Sequence, residues 1–272
     1  MRHLKKSMMA AMLLCMALVG VLAVSGRASA AEEDFVIENK VLKSYKGTDS
    51  HVVIPDGVKK IGNNAFEGKE TMKSIVISKS VKEIGDYAFM GTSLKKVVIP
   101  EGVTKMGKWV LACNTLQSVK LPGSLKKIPE NAFETSSLKK VVIPKGCTEI
   151  GSRAFWYCTK LKTVTIPEGV KKIGEGAFKD TAIQKITIPK SVKTLGNKYG
   201  VFTYSETKQK LKEITILNPK LKVKNMFGVT PLQKSVTIKG YKNSTAEKFV
   251  KEINKNKKKY KKSAKFVALK KK

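Results

Sequence analysis

Along most of this chain an aliphatic residue, often followed by proline, returns at a nearly fixed interval. It stands at Ile54, Ile77, Ile99, Leu121, Ile143, Ile166, Ile188, Ile216 and Ile238, with spacings of 23, 22, 22, 22, 23, 22, 28 and 22 residues. The surrounding unit reads approximately L-x-x-V-x-I-P-x-x-V-x-x-I-G-x-x-A-F, as in Leu138 to Phe155, where Cys147 takes the second valine place. So short a unit cannot enclose a core of its own. It must bury its apolar face against its neighbours, so the chain is expected to be a repeat solenoid.

Within a unit, Val141-Val142-Ile143 has the period of two of a short strand, with 141 and 143 on one face and 142 on the other. Val58 and Ile61, Val81 and Ile84, and Val170 and Ile173 supply a second apolar lane. The pairs Ala65-Phe66, Ala88-Phe89, Ala132-Phe133, Ala154-Phe155 and Ala177-Phe178 supply a third, whose phenylalanines are expected in the core. Glycines 62, 85, 107, 151, 174 and 196 recur where the coil must turn, a place suited to their permissive backbone. The fold class is therefore a mainly β repeat solenoid.

These motifs resemble the BspA-like leucine-rich repeats of bacterial surface and secreted proteins over about residues 35 to 240. The resemblance implies a right-handed leucine-rich-repeat coil and a ligand-binding or adhesive protein, with no conserved catalytic site. The chain departs from the pattern at Trp109-Val110-Leu111, at Pro129 in place of the turn glycine, and by six extra residues between Ile188 and Ile216.

Solenoid ends need covers. Phe35-Val36-Ile37 and Val41-Leu42 flank Glu38-Asn39-Lys40 and are expected to form an N-terminal hairpin cap. At the other end Ser244 and Glu247 have capping-box spacing. Ala246, Phe249, Val250 and Ile253 then fall on one face of a helix that would cover the last coil, with Phe266 to Leu269 returning as an extended piece. The expected organisation is 1–30 signal peptide, 31–50 N-terminal cap, 51–240 solenoid and 241–272 C-terminal helical cap with a lysine-rich tail.

The leader reading rests on Arg2, Lys5 and Lys6, an apolar stretch from Met8 to Val24, and Ala28-Ser29-Ala30, the small-residue form of a cleavage site. Cleavage after Ala30 or one residue later would export the chain, leaving no transmembrane segment and a secreted or cell-surface location. Of four cysteines Cys15 would leave with the leader. Cys147 is read as a small buried hydrophobe, and Cys113 and Cys158, two coils apart, lie beyond disulfide reach. Three free thiols are expected.

Charge is the second constraint. Lys plus Arg number 54 against 21 Asp plus Glu, a net +33, and Arg2, Arg27 and Arg153 are the only arginines. Twelve lysines fall in the last 25 residues, and the run from Lys255 to Lys262 is expected to be solvated or frayed. Such a surface attracts anionic cell-wall polymers, acidic glycans or lipid headgroups. The scarcity of arginine and of aromatics in the basic run argues against a specific nucleic-acid partner.

With valine and isoleucine turned inward, the intervening positions form an outward row: Val53, Val76, Val98, Lys120, Val142, Thr165, Thr187, Thr215 and Thr237. At a strand spacing of about 4.8 Å the row would run on the order of 40 Å, enough to engage an extended partner, although β-branched residues also suit an exposed strand for structural reasons alone. Beside it lie His51, Ser74, Lys96, Ser118, Lys140, Thr163, Lys185, Glu213 and Ser235. Lys96, Lys140 and Lys185 recur on every second coil and are candidate polyanion contacts. Tyr199 and Tyr204, in the six-residue excess, are candidate loop contacts, while Phe202 keeps the core aromatic place.

No phosphate loop, nucleophile elbow or metal-ligand cluster is visible, so no enzyme activity, metal or cofactor is expected. The reading is an exported binding protein for an extracellular protein or glycan ligand, acting in adhesion or protein interaction at the bacterial surface. The alternative is a lysine-rich structural protein that binds a cell-wall polymer or acidic glycan.

Overall fold

The structure is a computed structural model describing residues 31–270, apart from 197–199, 205–207, 224 and 229–231. The segment 1–30 expected to be a leader, with His3 and Cys15, and also Tyr199 therefore lie outside the described residues.

The chain opens on an antiparallel hairpin, β1 (Phe35–Glu38) and β2 (Val41–Tyr45). Asn39 and Lys40 at its tip both have positive φ, 49° and 64°. This is the geometry whose twist matches a two-residue hairpin turn. Each following coil contributes a wide strand, and the first seven also contribute a narrow one. The wide strands are β3 (His51–Val53), β5 (Ser74–Val76), β7 (Lys96–Val98), β9 (Ser118–Lys120), β11 (Lys140–Val142), β13 (Thr163–Thr165), β15 (Lys185–Ile188), β17 (Glu213–Ile216) and β18 (Val236–Gly240). The narrow strands are β4 (Lys60–Ile61), β6 (Glu83–Ile84), β8 (Lys105–Met106), β10 (Lys127–Ile128), β12 (Glu149–Ile150), β14 (Lys172–Ile173) and β16 (Thr194–Leu195). A last strand, β19 (Ala264–Ala268), lies parallel to β18. The molecule is a mainly β solenoid, as the repeat requires.

Alternation places the side chains as expected: Val141 and Ile143 are each 1% exposed, whereas Val142 between them is 56% exposed. The phenylalanines form an internal stack. Ring centroids lie 5.0 Å apart for Phe35 and Tyr45, 5.4 Å for Tyr45 and Phe66, and 5.3 Å for Phe66 and Phe89. After a break the stack resumes through Phe133, Phe155, Phe178 and Phe202 at 5.3, 5.6 and 5.7 Å. Phe202 thus keeps the core place. The break is Leu111, whose N–H reaches Ala132 O just as Phe133 N–H reaches Ala154 O. Val110 and Leu111 occupy the Ala and Phe places of that coil, and Trp109 turns outward to stack on Tyr87 at 5.2 Å.

The recurring glycines have a reason other than the one expected. None of glycines 62, 85, 107, 151, 174 and 196 has positive φ. They are excluded volumes: a Cβ on Gly151 would lie 2.6 Å from Pro129 C and 2.7 Å from Glu130 N, in the backbone of the preceding coil. The left-handed conformation falls instead on the residue before each Ala-Phe pair, at Asn64, Tyr87, Trp109, Asn131, Arg153 and Gly176.

Pro129 has a visible consequence. In its neighbours the N–H at this place donates to the coil below, Gly107 to Ile84 O and Gly151 to Ile128 O, both 2.8 Å. Proline has no N–H to donate, and the narrow-strand sheet is interrupted there, between β8 and β10.

Both ends are covered. The C-terminal helix Thr245–Lys255 is capped by the Ser244 hydroxyl, which accepts from Glu247 N–H at 3.4 Å. Glu247 reaches back to Asn243 N–H at 2.7 Å. The helix buries Ala246, Phe249, Val250 and Ile253 against the last strands. The lysine run is more ordered than expected: it ends that helix and forms a short helical piece, Lys257–Tyr260, because Tyr260 is buried edge-on against Phe249 at 6.3 Å.

Candidate functional site

The wide strands place the expected outward row in register. Val53 lies beside Val76, Val98 beside Lys120, Val142 beside Thr165, and Thr187 beside Thr215. Val76, Val98 and Val142 are 54%, 42% and 56% exposed. Lys120, Thr165 and Thr187 are also exposed, while Val53, Thr215 and Thr237 are half-buried.

The row departs from expectation at its end. β18 pairs with β17 so that Thr237 lies beside Glu213 and Lys239 beside Thr215. Thr237 therefore belongs to the adjacent row, and Lys239 takes its place. A slip of two residues keeps isoleucine inside, which is why the 22-residue spacing from Ile216 to Ile238 gives no sign of it. Lys239 Nζ meets the Glu213 carboxylate at 2.9 Å.

The row is also discontinuous in hydrogen bonding. β3 pairs with β5, β7 with β9 and β11 with β13, while β15, β17, β18 and β19 form one sheet. Strands β5 and β7, β9 and β11, and β13 and β15 touch without pairing. Each break precedes a strand that begins with one of Lys96, Lys140 and Lys185, so the two-coil chemical period coincides with the two-coil pairing. At the last break a depression of about 260 Å³ is lined by residues including Thr165, Lys185, Thr187, Glu213 and Thr215.

Lys96, Lys140 and Lys185 are exposed and enter no ion pair among the described residues. On the narrow-strand face the lysines are instead neutralised. Glu149 meets Lys172 at 2.9 Å and Lys127 at 3.1 Å, and Glu83 meets Lys105 at 3.0 Å and Lys60 at 3.6 Å. These partners, Lys172 and Lys105 foremost, hold both carboxyls below the usual carboxylate range. On the narrow-strand face these four lysines thus share two carboxylates, whereas on the wide-strand face Lys96, Lys140 and Lys185 meet none among the described residues.

Tyr204 is not the exposed contact expected of it. It is 5% exposed, and burial pushes its hydroxyl pKa upward. The cause is Gln209, buried in the same loop. Its carbonyl oxygen accepts from Gln233 N–H at 2.9 Å and Lys234 N–H at 3.1 Å, and its amide donates to Lys234 O at 3.0 Å. These bonds draw the loop onto the next coil. Met226 and Phe227, which sequence reading missed, take the Ala-Phe places of that coil: Val201 and Phe202 N–H both donate to Met226 O. The irregular spacing from Ile188 onward hides them.

Cys113, Cys147 and Cys158 are free and buried. Burial raises all three thiols, Cys158 to about 12, and Cys113 and Cys158 bond to Phe89 O and Phe133 O. His51 Nδ1 lies 2.6 Å from Ser74 Oγ, and among the described residues no group of three His, Cys, Asp or Glu is placed to hold a metal. No helix among them is long and apolar enough to cross a membrane.

Comparison with solved structures finds similar folds. A leucine-rich repeat protein from Bacteroides ovatus superposes with a TM-score of 0.58 at 23% identity, covering 88% of this chain and 68% of that one. A Treponema pallidum leucine-rich repeat protein gives 0.47 at 23%, covering 89% and 100%. A leucine-rich cell surface protein from Faecalibacterium prausnitzii gives 0.40 at 20%, covering 91% and 97%. Comparison with curated protein sequences finds no match. The BspA-type leucine-rich repeat region matches residues 36–162 and 126–254, in six copies. Together with the stacked lanes described above, this match makes the chain a member of the BspA-type leucine-rich repeat family, a scaffold for binding rather than for catalysis.

Proposed function

We propose that the chain is an exported adhesion or interaction protein of the bacterial surface or its surroundings, and that it holds an extracellular protein against the outward row of its wide strands. The observation that carries this reading is the exposure of Val76, Val98 and Val142 on one ordered face. Three large aliphatic side chains in a line leave apolar surface for a partner to cover. The family supports binding as the mode of action, and the leader-like first thirty residues support export.

The test begins by finding the partner: cells are crosslinked from a photoreactive residue placed at position 98, and the captured protein is purified. Replacing Val76, Val98 and Val142 together by Asp is expected to abolish binding to that protein while the circular dichroism spectrum stays unchanged. Undiminished binding contradicts the reading. A second reading, attachment to an anionic polymer, is favoured by the unpaired state of Lys96, Lys140 and Lys185.

A further inference from the structure

The lysines beside the valine row are part of a larger array. The residue just before each wide strand is also exposed, and in the coils from β5 to β17 it is Lys73, Lys95, Gln117, Lys139, Lys162, Gln184 and Lys212. The strand registers place Gln117 above Lys95, Lys162 above Lys139 and Lys212 above Gln184, because Lys96 pairs with Ser118, Lys140 with Thr163 and Lys185 with Glu213, and the coils between these pairs are in contact. Among the described residues none of these lysines enters an ion pair. The one acid at the first strand position, Glu213, is taken by Lys239. At a strand spacing of about 4.8 Å the seven coils span about 29 Å. With Lys96, Lys140 and Lys185 alongside, the result is a two-lane cationic stripe whose second lane carries a lysine on every second coil.

We propose that this stripe is a binding track for an extended acidic polysaccharide, one that carries a carboxylate or sulfate on every second sugar. The proposal rests on the anionic-polymer reading above and gives it a place and a ligand class. Three observations select the ligand. The lysines of the stripe enter no ion pair among the described residues, which suits a linear polyanion that releases counterions along its length. Its second-lane lysines, Lys96, Lys140 and Lys185, recur at two strand spacings, roughly 10 Å, a period set by alternate units of a chain rather than by every unit. The hydroxyls of Thr165, Thr187 and Thr215 border the depression beside Lys185, offering acceptors as well as donors, and sugar hydroxyls can use both whereas an ionised phosphate polymer has no proton to donate. The lysine-rich C-terminal cap has more charge but no such period.

The experiment measures binding of the whole chain to hyaluronan oligosaccharides of graded length, which carry one carboxylate on every second sugar, with polyphosphate of matched length as a second arm. One variant carries Lys95→Gln, Lys139→Gln, Lys162→Gln and Lys212→Gln. A charge-matched control carries Lys248→Gln, Lys255→Gln, Lys258→Gln and Lys262→Gln in the cap. The stripe variant is expected to lose affinity by about tenfold or more and the control by less than about twofold. Affinity should rise with oligosaccharide length until the track is filled and then level off. Equal loss in both variants, or loss in the control alone, overturns the track while leaving polymer binding intact. Polyphosphate bound as tightly as hyaluronan overturns the polysaccharide assignment. Absence of binding by the parent chain overturns the polymer reading itself. Should the stripe variant misfold, acetylation of the parent chain decides: bound oligosaccharide protects Lys95, Lys139, Lys162 and Lys212 and leaves the cap lysines reactive, and the reverse pattern contradicts the proposal.

Discussion

At the scale of single residues, the coil is held together by what is missing as much as by what packs. Gly151 recurs because the backbone below leaves no room for a Cβ, at 2.6 Å from Pro129 C. Gly123, by contrast, has its nearest neighbour at 3.5 Å, the Glu101 side chain. Gly151→Ala is therefore expected to destabilise by about 2–3 kcal/mol, since the obstructing atoms are main chain and cannot rotate away. Gly123→Ala should stay within about 0.5 kcal/mol of the parent. Urea denaturation of the two variants checks this, and equal midpoints would contradict the packing explanation. The period of the glycines was legible in the sequence, but the cause was not, because a turn glycine and a close-approach glycine leave the same mark. The left-handed places were only half marked, by Asn64, Asn131 and Gly176, residue types that favour positive φ. Tyr87, Trp109 and Arg153 occupy the others, and such residue types do not announce positive φ.

At the scale of elements, the strand lanes could be read directly from the alternation in segments such as Val141-Val142-Ile143, because one face of a short strand must be apolar and the other wet. What escaped reading was how the strands pair. Hydrogen bonding between coils depends on their relative tilt, which no single unit encodes, and a slip of two residues at β18 costs nothing in hydrophobic pattern. Pro129 is the exception: a departure visible in sequence with a local outcome that follows from its chemistry. Pro129→Gly supplies the missing donor. We expect the amide at position 129 to form a bond to Met106 O and to exchange with solvent as slowly as those of Gly107 and Gly151. Fast exchange there, with slow exchange at its neighbours, would show that the break has another cause.

For the whole molecule, the same geometry that buries the aliphatic and aromatic lanes sorts the charge. On the narrow-strand face Glu83 and Glu149 each bridge two lysines, while on the wide-strand side, apart from the Lys239–Glu213 pair, the lysines beside the exposed valines enter no ion pair among the described residues. Net charge alone, +33, could not reveal that division. It arises from which strand each residue falls on. The recognition row and the cationic stripe both depend on equivalent residues of successive coils standing in line. Spin labels on cysteines introduced at outward positions test this directly, since the native thiols at 113, 147 and 158 are buried. With one label at Val76 and the second moved to Thr165, Thr187 and then Thr215, the account predicts a distance that grows by about 4.8 Å at each step, from about 19 Å to about 29 Å. Distances that fail to increase with coil number would contradict it.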